Sequence, residues 1–219
     1  MTSPTPALRS DLENAVNELG LAVSPEQIDT LLQYLVLLQR WNSVYNLTSV
    51  REPGPMLTLH LVDCLALVAP LRRYVGMRSG LRLLDVGSGA GLPGVVIAAL
   101  NPAIMVTCVD AVGKKAAFVR QAAGELALRN LGSEHSRVER LNAPPFDIIT
   151  SRAFASLPDF VNLTRSHLAP QGVWLAMKGK RPDEELALLA DDVGVFHVEQ
   201  LAVPGLNAER CLVWMKRKP

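Results

Sequence analysis

Residues 81–94 of this chain read Leu81-Arg82-Leu83-Leu84-Asp85-Val86-Gly87-Ser88-Gly89-Ala90-Gly91-Leu92-Pro93-Gly94. An apolar run typical of a β-strand contains an aspartate near its end, three glycines at alternate positions follow, and an apolar helical segment comes next. Glycine adopts backbone angles that a Cβ forbids, and it lets a ligand approach main-chain amides. A strand, a glycine loop and a helix in this order predict a nucleotide-like ligand at the carboxyl edge of a sheet.

The glycine spacing separates two classes of nucleotide-binding loop. The dinucleotide fingerprint Gly-x-Gly-x-x-Gly would require glycine at position 92, where this chain has Leu92, and Pro93 has no free amide for a pyrophosphate. Asp85 followed by three alternate glycines instead resembles motif I of S-adenosylmethionine-dependent methyltransferases. A tight strand–helix turn without a ligand is the alternative that this stretch alone leaves open.

The composition is that of a well-buried globular protein. Of the 219 residues, 49% are apolar and 20% are charged. The three cysteines lie far apart in the sequence, which predicts free thiols. The sequence has no secretory signal, which predicts a cytoplasmic protein, and no long apolar run, which predicts that it has no membrane span. Because the net charge is only +1, any site for a polyanion must be a local patch.

Residues 1–80 carry helical patterns and no strand pattern. Apolar spacing predicts helices over about 8–19, from Ser24-Pro25-Glu26-Gln27 towards Trp41, and over about 56–71. From residue 81 onward strands and helices alternate, which predicts a parallel sheet covered on both faces. Strands are expected at 81–86, 104–110, around 137–139, and at 146–150, 173–177, 195–203 and 210–215.

The last two expected strands are separated by about six residues, too few for a crossover helix, so they predict an antiparallel hairpin. The resulting fold class is α/β: a Rossmann-like class I methyltransferase with a seven-stranded, mainly parallel sheet and an N-terminal helical extension. We expect residues 1–75 to form a helical cap and residues 76–219 to form the methyltransferase core.

Side chains at the ends of two further expected strands suit a nucleoside. Asp110 ends the second strand, where a carboxylate can accept both ribose hydroxyls, although an aspartate there also commonly caps the next helix. Val138 and Glu139 would flank an adenine at the end of the third strand. After the fourth strand, residues 151–156 contain no amide to hold an exocyclic amine, and Arg152 would lie at the mouth of the pocket.

Several strings occur together and in one order along the chain. They are Trp41-Asn42 with Asn46-Leu47-Thr48-Ser49-Val50, His60 with Asp63, the glycine loop, Pro144-Pro145-Phe146-Asp147 with Ser151-Arg152-Ala153-Phe154-Ala155, and Lys178-Gly179. In this combination the chain resembles the bacterial small-subunit ribosomal RNA guanine-N7 methyltransferases (RsmG, the glucose-inhibited division protein B family). The resemblance covers residues 10–216, and the Ser-Arg-Ala-Phe-Ala and Asn-Leu-Thr strings are more specific than the glycine loop.

The resemblance implies a cofactor, a substrate and a set of site residues. The substrate would be N7 of guanine 527 in the 530 loop of 16S rRNA in the small ribosomal subunit, and the enzyme would be monomeric. With motif I, the resemblance predicts S-adenosylmethionine contacts at Asp85, Gly87, Gly89, Gly91, Leu92, Asp110, Val138, Glu139 and Arg152.

N7 of guanine carries an in-plane lone pair and no proton, so its methylation needs no general base, and we expect no metal. We hypothesise that Arg152, Asn46 and His60 position the target base. Arg137, Lys178 and Arg210 are the candidate RNA contacts, since Arg and Lys commonly bind phosphate. His60 could equally be an interface histidine that links the N-terminal helices to the sheet.

Two other functions stay open at this point. Motif I and the sheet also allow a class I methyltransferase that acts on a small molecule or a protein, although such an enzyme would not need the Asn-Leu-Thr string. A non-catalytic RNA-binding or ribosome-associated protein is the third possibility, and an intact cofactor loop argues against it.

Overall fold

The computed structural model describes residues 5–218 and begins with two helices. Helix α1 spans Pro6–Glu18 and α2 spans Pro25–Tyr45. The predicted cap of α2 is present, because the Ser24 hydroxyl accepts from the Gln27 amide and the Gln27 side chain accepts from the Ser24 amide. The helix ends where Asn46 adopts a left-handed conformation with φ of 48°.

A nearly continuous apolar helix follows over Pro53–Val75. It consists of α3 (Pro53–Met56), a π-helical segment (Leu57–Val62), α4 (Asp63–Leu65) and α5 (Val68–Val75). Its length and composition would allow it to cross a membrane, but 67% of its most apolar window is buried inside the protein. In this fold it is a core helix.

Seven strands form one sheet in the order β3-β2-β1-β4-β5-β7-β6. The strands are β1 (Leu81–Val86), β2 (Ile104–Asp110), β3 (Leu131–His135), β4 (Phe146–Arg152), β5 (Leu168–Lys178), β6 (Val193–Gln200) and β7 (Cys211–Arg217). Strands β1 to β5 pair in parallel, and β7 pairs antiparallel with both β5 and β6. The predicted fold class and its C-terminal hairpin are therefore confirmed.

Helices cover both faces of the sheet: α6 (Gly94–Leu100), α7 (Gly113–Glu125), α8 (Leu157–Thr164) and α9 (Asp183–Ala187). On β1, Leu83 packs into the core that contains α2, α6 and α7, whereas Leu84 packs into the core that contains α8. The N-terminal helices thus share the larger core with the sheet. The division of the chain into a helical cap (residues 1–75) and a methyltransferase core (residues 76–219) stays a prediction.

The predicted third strand was placed wrongly. Residues 137–139 lie in a 3₁₀ turn over Val138–Arg140, and the strand is β3, which precedes it. Only Leu131 of β3 is buried, so this edge strand lacks the alternating apolar pattern by which strands are identified. Strand β5 also begins earlier than predicted, at Leu168 instead of residue 173.

Candidate functional site

The glycine loop joins β1 to α6 at the carboxyl edge of the sheet. Gly87, Gly89 and Gly91 have φ values of 64°, 58° and 85°, the left-handed region that glycine adopts readily. A Cβ on Gly87 would lie 2.4 Å from the Phe154 ring, so a side chain at this position would collide with its neighbour. The Gly87 amide donates to the Val109 carbonyl at 2.9 Å, which fixes the loop to β2.

Two carboxylates also hold this loop in place. The Asp85 side chain is fully buried, and its Oδ2 accepts a hydrogen bond from the Gly94 amide at 2.8 Å. Burial raises the pKa of Asp85 to about 7. Asp110 accepts from the Gly89 amide at 2.9 Å and from the Val112 amide at 2.8 Å. The loop is therefore fixed by protein contacts alone.

Tyr34 connects the N-terminal helices to the loop. This side chain of α2 is fully buried, and its hydroxyl donates to the Ala90 carbonyl at 2.7 Å. Its ring lies 5.9 Å from that of Phe118 on α7. Tyr34 was not among the predicted site residues, because nothing in an apolar helical face marks a tyrosine that reaches a loop 56 residues away.

A cavity of about 330 Å³, called here the smaller cavity, opens on one side of the loop. Its wall includes Val86, Gly87, Val109, Asp110, Ala111, Ser136, Arg137, Val138, Glu139, Phe154 and Leu163. Each Asp110 oxygen that accepts one backbone amide keeps a lone pair for another donor. A mainly apolar wall with two carboxylates, Asp110 and Glu139, suits the adenosine part of a ligand.

A cavity of about 510 Å³, the larger cavity, lies between the N-terminal helices and the sheet edge and meets the smaller cavity at Gly87. Its lining is Leu47, Thr48, Leu59, His60, Asp63, Gly87, Ser88, Gly89, Ala90, Leu92, Arg152, Ala153, Met177, Lys178, Gly179 and Arg210. Three side chains of this set are cationic and one is anionic, so the wall attracts anionic groups.

Asp63 is the centre of an ion-pair network in the larger cavity. Its side chain is 4% exposed; Oδ2 accepts from the Arg152 guanidinium at 3.1 Å, and Oδ1 accepts from the Arg210 guanidinium at 2.7 Å. Arg152 also donates to the Leu59 carbonyl at 3.0 Å. The network joins α4, the end of β4 and the segment before β7, and it fixes two guanidinium groups at the cavity wall.

His60 and Thr48 form a second polar pair in the same wall. Thr48 Oγ1 and His60 Nε2 are 2.9 Å apart, and His60 Nδ1 is buried without a hydrogen-bond partner. Burial, reinforced by the charge of Arg152, lowers the pKa of His60, so the ring is neutral near pH 7. Asn42 orients this segment, since its side chain accepts from the Thr48 amide and donates to the Val50 carbonyl.

A family model described as rRNA small subunit methyltransferase G, or GidB, matches residues 27–213 of the chain. The chain belongs to this family. It is 58% identical over 217 residues to the ribosomal RNA small subunit methyltransferase G of Acidovorax ebreus strain TPSY, covering 96% of both chains. It is 59% identical over 212 residues to the protein of the same name from Acidovorax sp. strain JS42, covering 94% of this chain and 93% of the relative.

Solved structures share the fold of this methyltransferase G family member. The N-methyltransferase NodS from Bradyrhizobium japonicum, in complex with S-adenosyl-L-homocysteine, superposes with a TM-score of 0.58 at 15% identity, covering 85% of this chain and 98% of NodS. TrmN from Thermus thermophilus gives 0.56 at 21% identity, covering 69% of this chain and 48% of TrmN. The recognition of the family and the class I methyltransferase fold are thus confirmed.

The predicted cofactor residues of this methyltransferase G chain surround the two cavities. Gly87 lines both cavities; the larger is lined by Gly89, Leu92 and Arg152, and the smaller by Asp110, Val138 and Glu139. Asp85 and Gly91 belong to neither lining: the Asp85 carboxylate is buried beneath the loop, where it supports α6. Direct contact between Asp85 and the cofactor stays a prediction, and the burial of this carboxylate favours a positioning role.

Asn46 does not lie where the hypothesis of a target pocket placed it. Its side chain is exposed at the end of α2 and accepts from Arg51 at 3.2 Å, and it is not part of the lining of either cavity. Leu47 and Thr48, the next two residues, line the larger cavity instead. The left-handed turn at Asn46 directs the chain towards the cavity, which a residue pattern alone does not reveal.

The three candidate RNA contacts are divided between the cavities. Lys178 and Arg210 line the larger cavity, whereas Arg137 is exposed at the smaller one. Lys178 is already engaged, because its ammonium lies 2.8 Å from Glu185 and donates to the Ala155 carbonyl at 3.0 Å. Any contact of Lys178 with RNA would therefore compete with an ion pair.

Proposed function

We propose that this family member transfers a methyl group from S-adenosylmethionine to N7 of guanine 527 in the 530 loop of 16S rRNA. Membership of the rRNA small subunit methyltransferase G family supports 16S rRNA as the substrate. The observation that supports the N7 acceptor concerns the larger cavity. Asp63, the one carboxylate in the lining described for it, is bound by two guanidinium groups and so is not free to serve as a general base, which N7 does not need.

The two adjoining cavities fit S-adenosylmethionine, which when bound supplies a methyl group on a positively charged sulfur. Asp110 would accept the ribose hydroxyls, and Val138 would contact the adenine in the smaller cavity. Gly87 lines both cavities, and the place of its missing side chain is occupied by the Phe154 ring, which lines the smaller one. The methionine end would then follow the glycine loop into the larger cavity.

Methylation of N7 needs alignment rather than proton removal. The lone pair must point along the line of the methyl–sulfur bond, and a rigid pocket achieves this by excluding other orientations and water. Arg152 and Arg210 would bind a phosphate or guanine O6 while N7 stays free. His60 and Thr48, held together at 2.9 Å, would form the wall against which the base rests.

For partners and location, we propose that the substrate is the small ribosomal subunit or its 16S rRNA in the cytoplasm, and that the enzyme acts as a monomer. No metal takes part in the proposed transfer, because N7 is already a nucleophile and the leaving group is already activated as a sulfonium.

The decisive experiment incubates the purified chain with labelled S-adenosylmethionine and small subunits from a strain that lacks this enzyme. Nuclease fragments of the 16S rRNA are then mapped by mass spectrometry. The expected product is one N7-methylguanosine in the 530-loop fragment. Label in another nucleoside or another fragment contradicts the proposed acceptor, and label only in added small molecules or proteins contradicts the substrate class.

Two variants test the roles of individual residues. Asp110→Ala should weaken S-adenosylhomocysteine binding by about 1–3 kcal/mol, because charged hydrogen bonds to ribose are lost. Arg152→Ala should lower the turnover number more than the unfolding temperature. If Asp110→Ala binds S-adenosylhomocysteine with unchanged affinity, the role of Asp110 is structural alone. If Arg152→Ala simply unfolds, the role of Arg152 is structural alone.

A further inference from the structure

An exposed aromatic residue stands at the end of α2, close in sequence to the lining of the larger cavity. Tyr45 is 46% exposed, and its neighbour Val44 is 67% exposed, so two apolar side chains lie together at the surface. Leu47 and Thr48, two and three residues further along the chain, line the larger cavity. A single strand with one base in that cavity would bring its neighbouring nucleotides close to the end of α2.

The Tyr45 ring packs on one side against other aromatic rings. It lies 4.8 Å from the Trp41 ring, and Trp41 in turn lies 5.5 Å from Phe118 in an edge-on arrangement. Phe118 contacts Tyr34, which supports the glycine loop. A ring fixed in this way presents its free face without the loss of side-chain entropy that a mobile tyrosine would suffer on binding.

Two cations contact the chain at Tyr45 and Asn46, and acidic residues are absent from the sequence around them. The Lys114 ammonium donates to the Tyr45 carbonyl at 2.7 Å, and Arg51 donates to Asn46 at 3.2 Å. The sequence contains no Asp or Glu from residue 30 to residue 51 or from residue 111 to residue 124. These two segments therefore contribute positive and no negative side chains to this end of α2.

We propose that these residues, Trp41, Val44, Tyr45, Arg51 and Lys114, form a stacking platform for single-stranded RNA next to the target guanine. An unstacked base would lie on the Tyr45 ring, and Arg51 and Lys114 would contact the adjacent phosphates. Aromatic rings beside cations are the usual means of binding single strands without reading their sequence. This inference rests on the proposed function and specifies how the same site holds its RNA.

The test compares Tyr45 with a matched aromatic residue at the opposite edge of the sheet. Phe196 on β6 is 44% exposed and has the Lys216 ammonium 5.6 Å from its ring, so it resembles Tyr45 in exposure and charge. The probe is a labelled 16S rRNA fragment that contains the 530 loop, and S-adenosylhomocysteine affinity is measured in parallel. Tyr45→Ala should weaken RNA binding about 5- to 150-fold, while Phe196→Ala should leave it within about twofold of the wild type.

Two further variants separate stacking from folding. Tyr45→Phe keeps the ring and should bind RNA within about threefold of the wild type, whereas Tyr45→Leu keeps the apolar contact with Trp41 but should lose as much affinity as Tyr45→Ala. Lys114→Gln should reduce the slope of log Kd against log salt by about one. All variants should bind S-adenosylhomocysteine like the wild type.

Wild-type RNA affinity in Tyr45→Ala, or equal losses in Phe196→Ala, would overturn the stacking platform while leaving the proposed methylation intact. A Tyr45→Ala protein that binds naked RNA normally but the assembled subunit weakly would show that the platform contacts a protein, which also overturns the proposal. If the wild type methylates no 16S rRNA in the mapping experiment, the proposed function itself fails.

Discussion

The ion-pair network around Asp63 gives the sharpest test of the site's architecture. Asp63→Asn keeps the size of the side chain but removes the charge that neutralises Arg152 and Arg210. Breaking a buried ion pair by removing one partner costs about 3–5 kcal/mol. The two arginine side chains are 21% and 23% exposed, so water would recover part of that loss, and we expect a cost of about 2–4 kcal/mol.

The free energy of unfolding, measured by urea denaturation at pH 7, tests this value. In a chain of this size the expected loss lowers the unfolding temperature by roughly 4–16 °C. Asp192→Asn is the control, because it breaks an ion pair with Arg165 in which the acidic side chain is 59% exposed, and it should cost less than about 1 kcal/mol.

A double variant distinguishes charge from shape. Adding Arg210→Gln to Asp63→Asn removes one of the two uncompensated cations, so the double variant should be more stable than the sum of the single changes predicts. If Asp63→Asn costs no more than Asp192→Asn, or if the two changes at the site are additive, the ion-pair network does not hold these elements together.

Three further predictions concern the glycine loop. Tyr34→Phe leaves the buried Ala90 carbonyl without its donor, so it should cost about 1–3 kcal/mol of stability and weaken S-adenosylhomocysteine binding, which calorimetry would detect. Gly87→Ala should weaken cofactor binding at least tenfold, since the new methyl collides with Phe154 and the φ of 64° is strained; unchanged calorimetric affinity would contradict this. Asp85 has a pKa of about 7 in the folded chain, whereas its ordinary value is 3.8. Between these two values the folded state holds a proton that the unfolded state has released. The contribution of Asp85 to the free energy of unfolding therefore falls as the pH rises from about 4 to about 7. Asp85→Asn should therefore gain roughly 2–3 kcal/mol relative to the wild type between about pH 5 and pH 8, and a constant difference in unfolding free energy would refute the shift.

The sequence was sufficient for those parts of the fold that local patterns determine. The apolar run of β1, the glycine loop and the capping residues before α2 each lie within a few consecutive residues. Strand β3 was misplaced because an edge strand with a single buried residue carries no periodic signal. Its true position follows from pairing with β2, which is a property of the folded chain.

The candidate site was predicted less completely, and distance along the chain explains the difference. Asp110 and the loop glycines were found because each follows a recognisable strand. The pair of Asp63 and Arg210 joins residues 147 positions apart, and Tyr34 meets a carbonyl 56 positions away. Such contacts depend on how helices pack on the sheet, so residue spacing alone cannot predict them.

The π-helical segment Leu57–Val62 contains one residue more than an α-helix would need to connect the same two halves, because its hydrogen bonds join residues five apart instead of four. The half before it contacts α2, and the half after it carries Asp63 into the network with two arginines. Removal of one residue from this segment would let it close to an α-helix while the two halves keep nearly the same rotational phase. In the α-helical parts, by contrast, each residue turns the chain by about 100°, so a deletion there would rotate everything beyond it by that amount. The irregular segment is therefore the one place in this helix where the length of the chain can change without turning Asp63 away from its arginines.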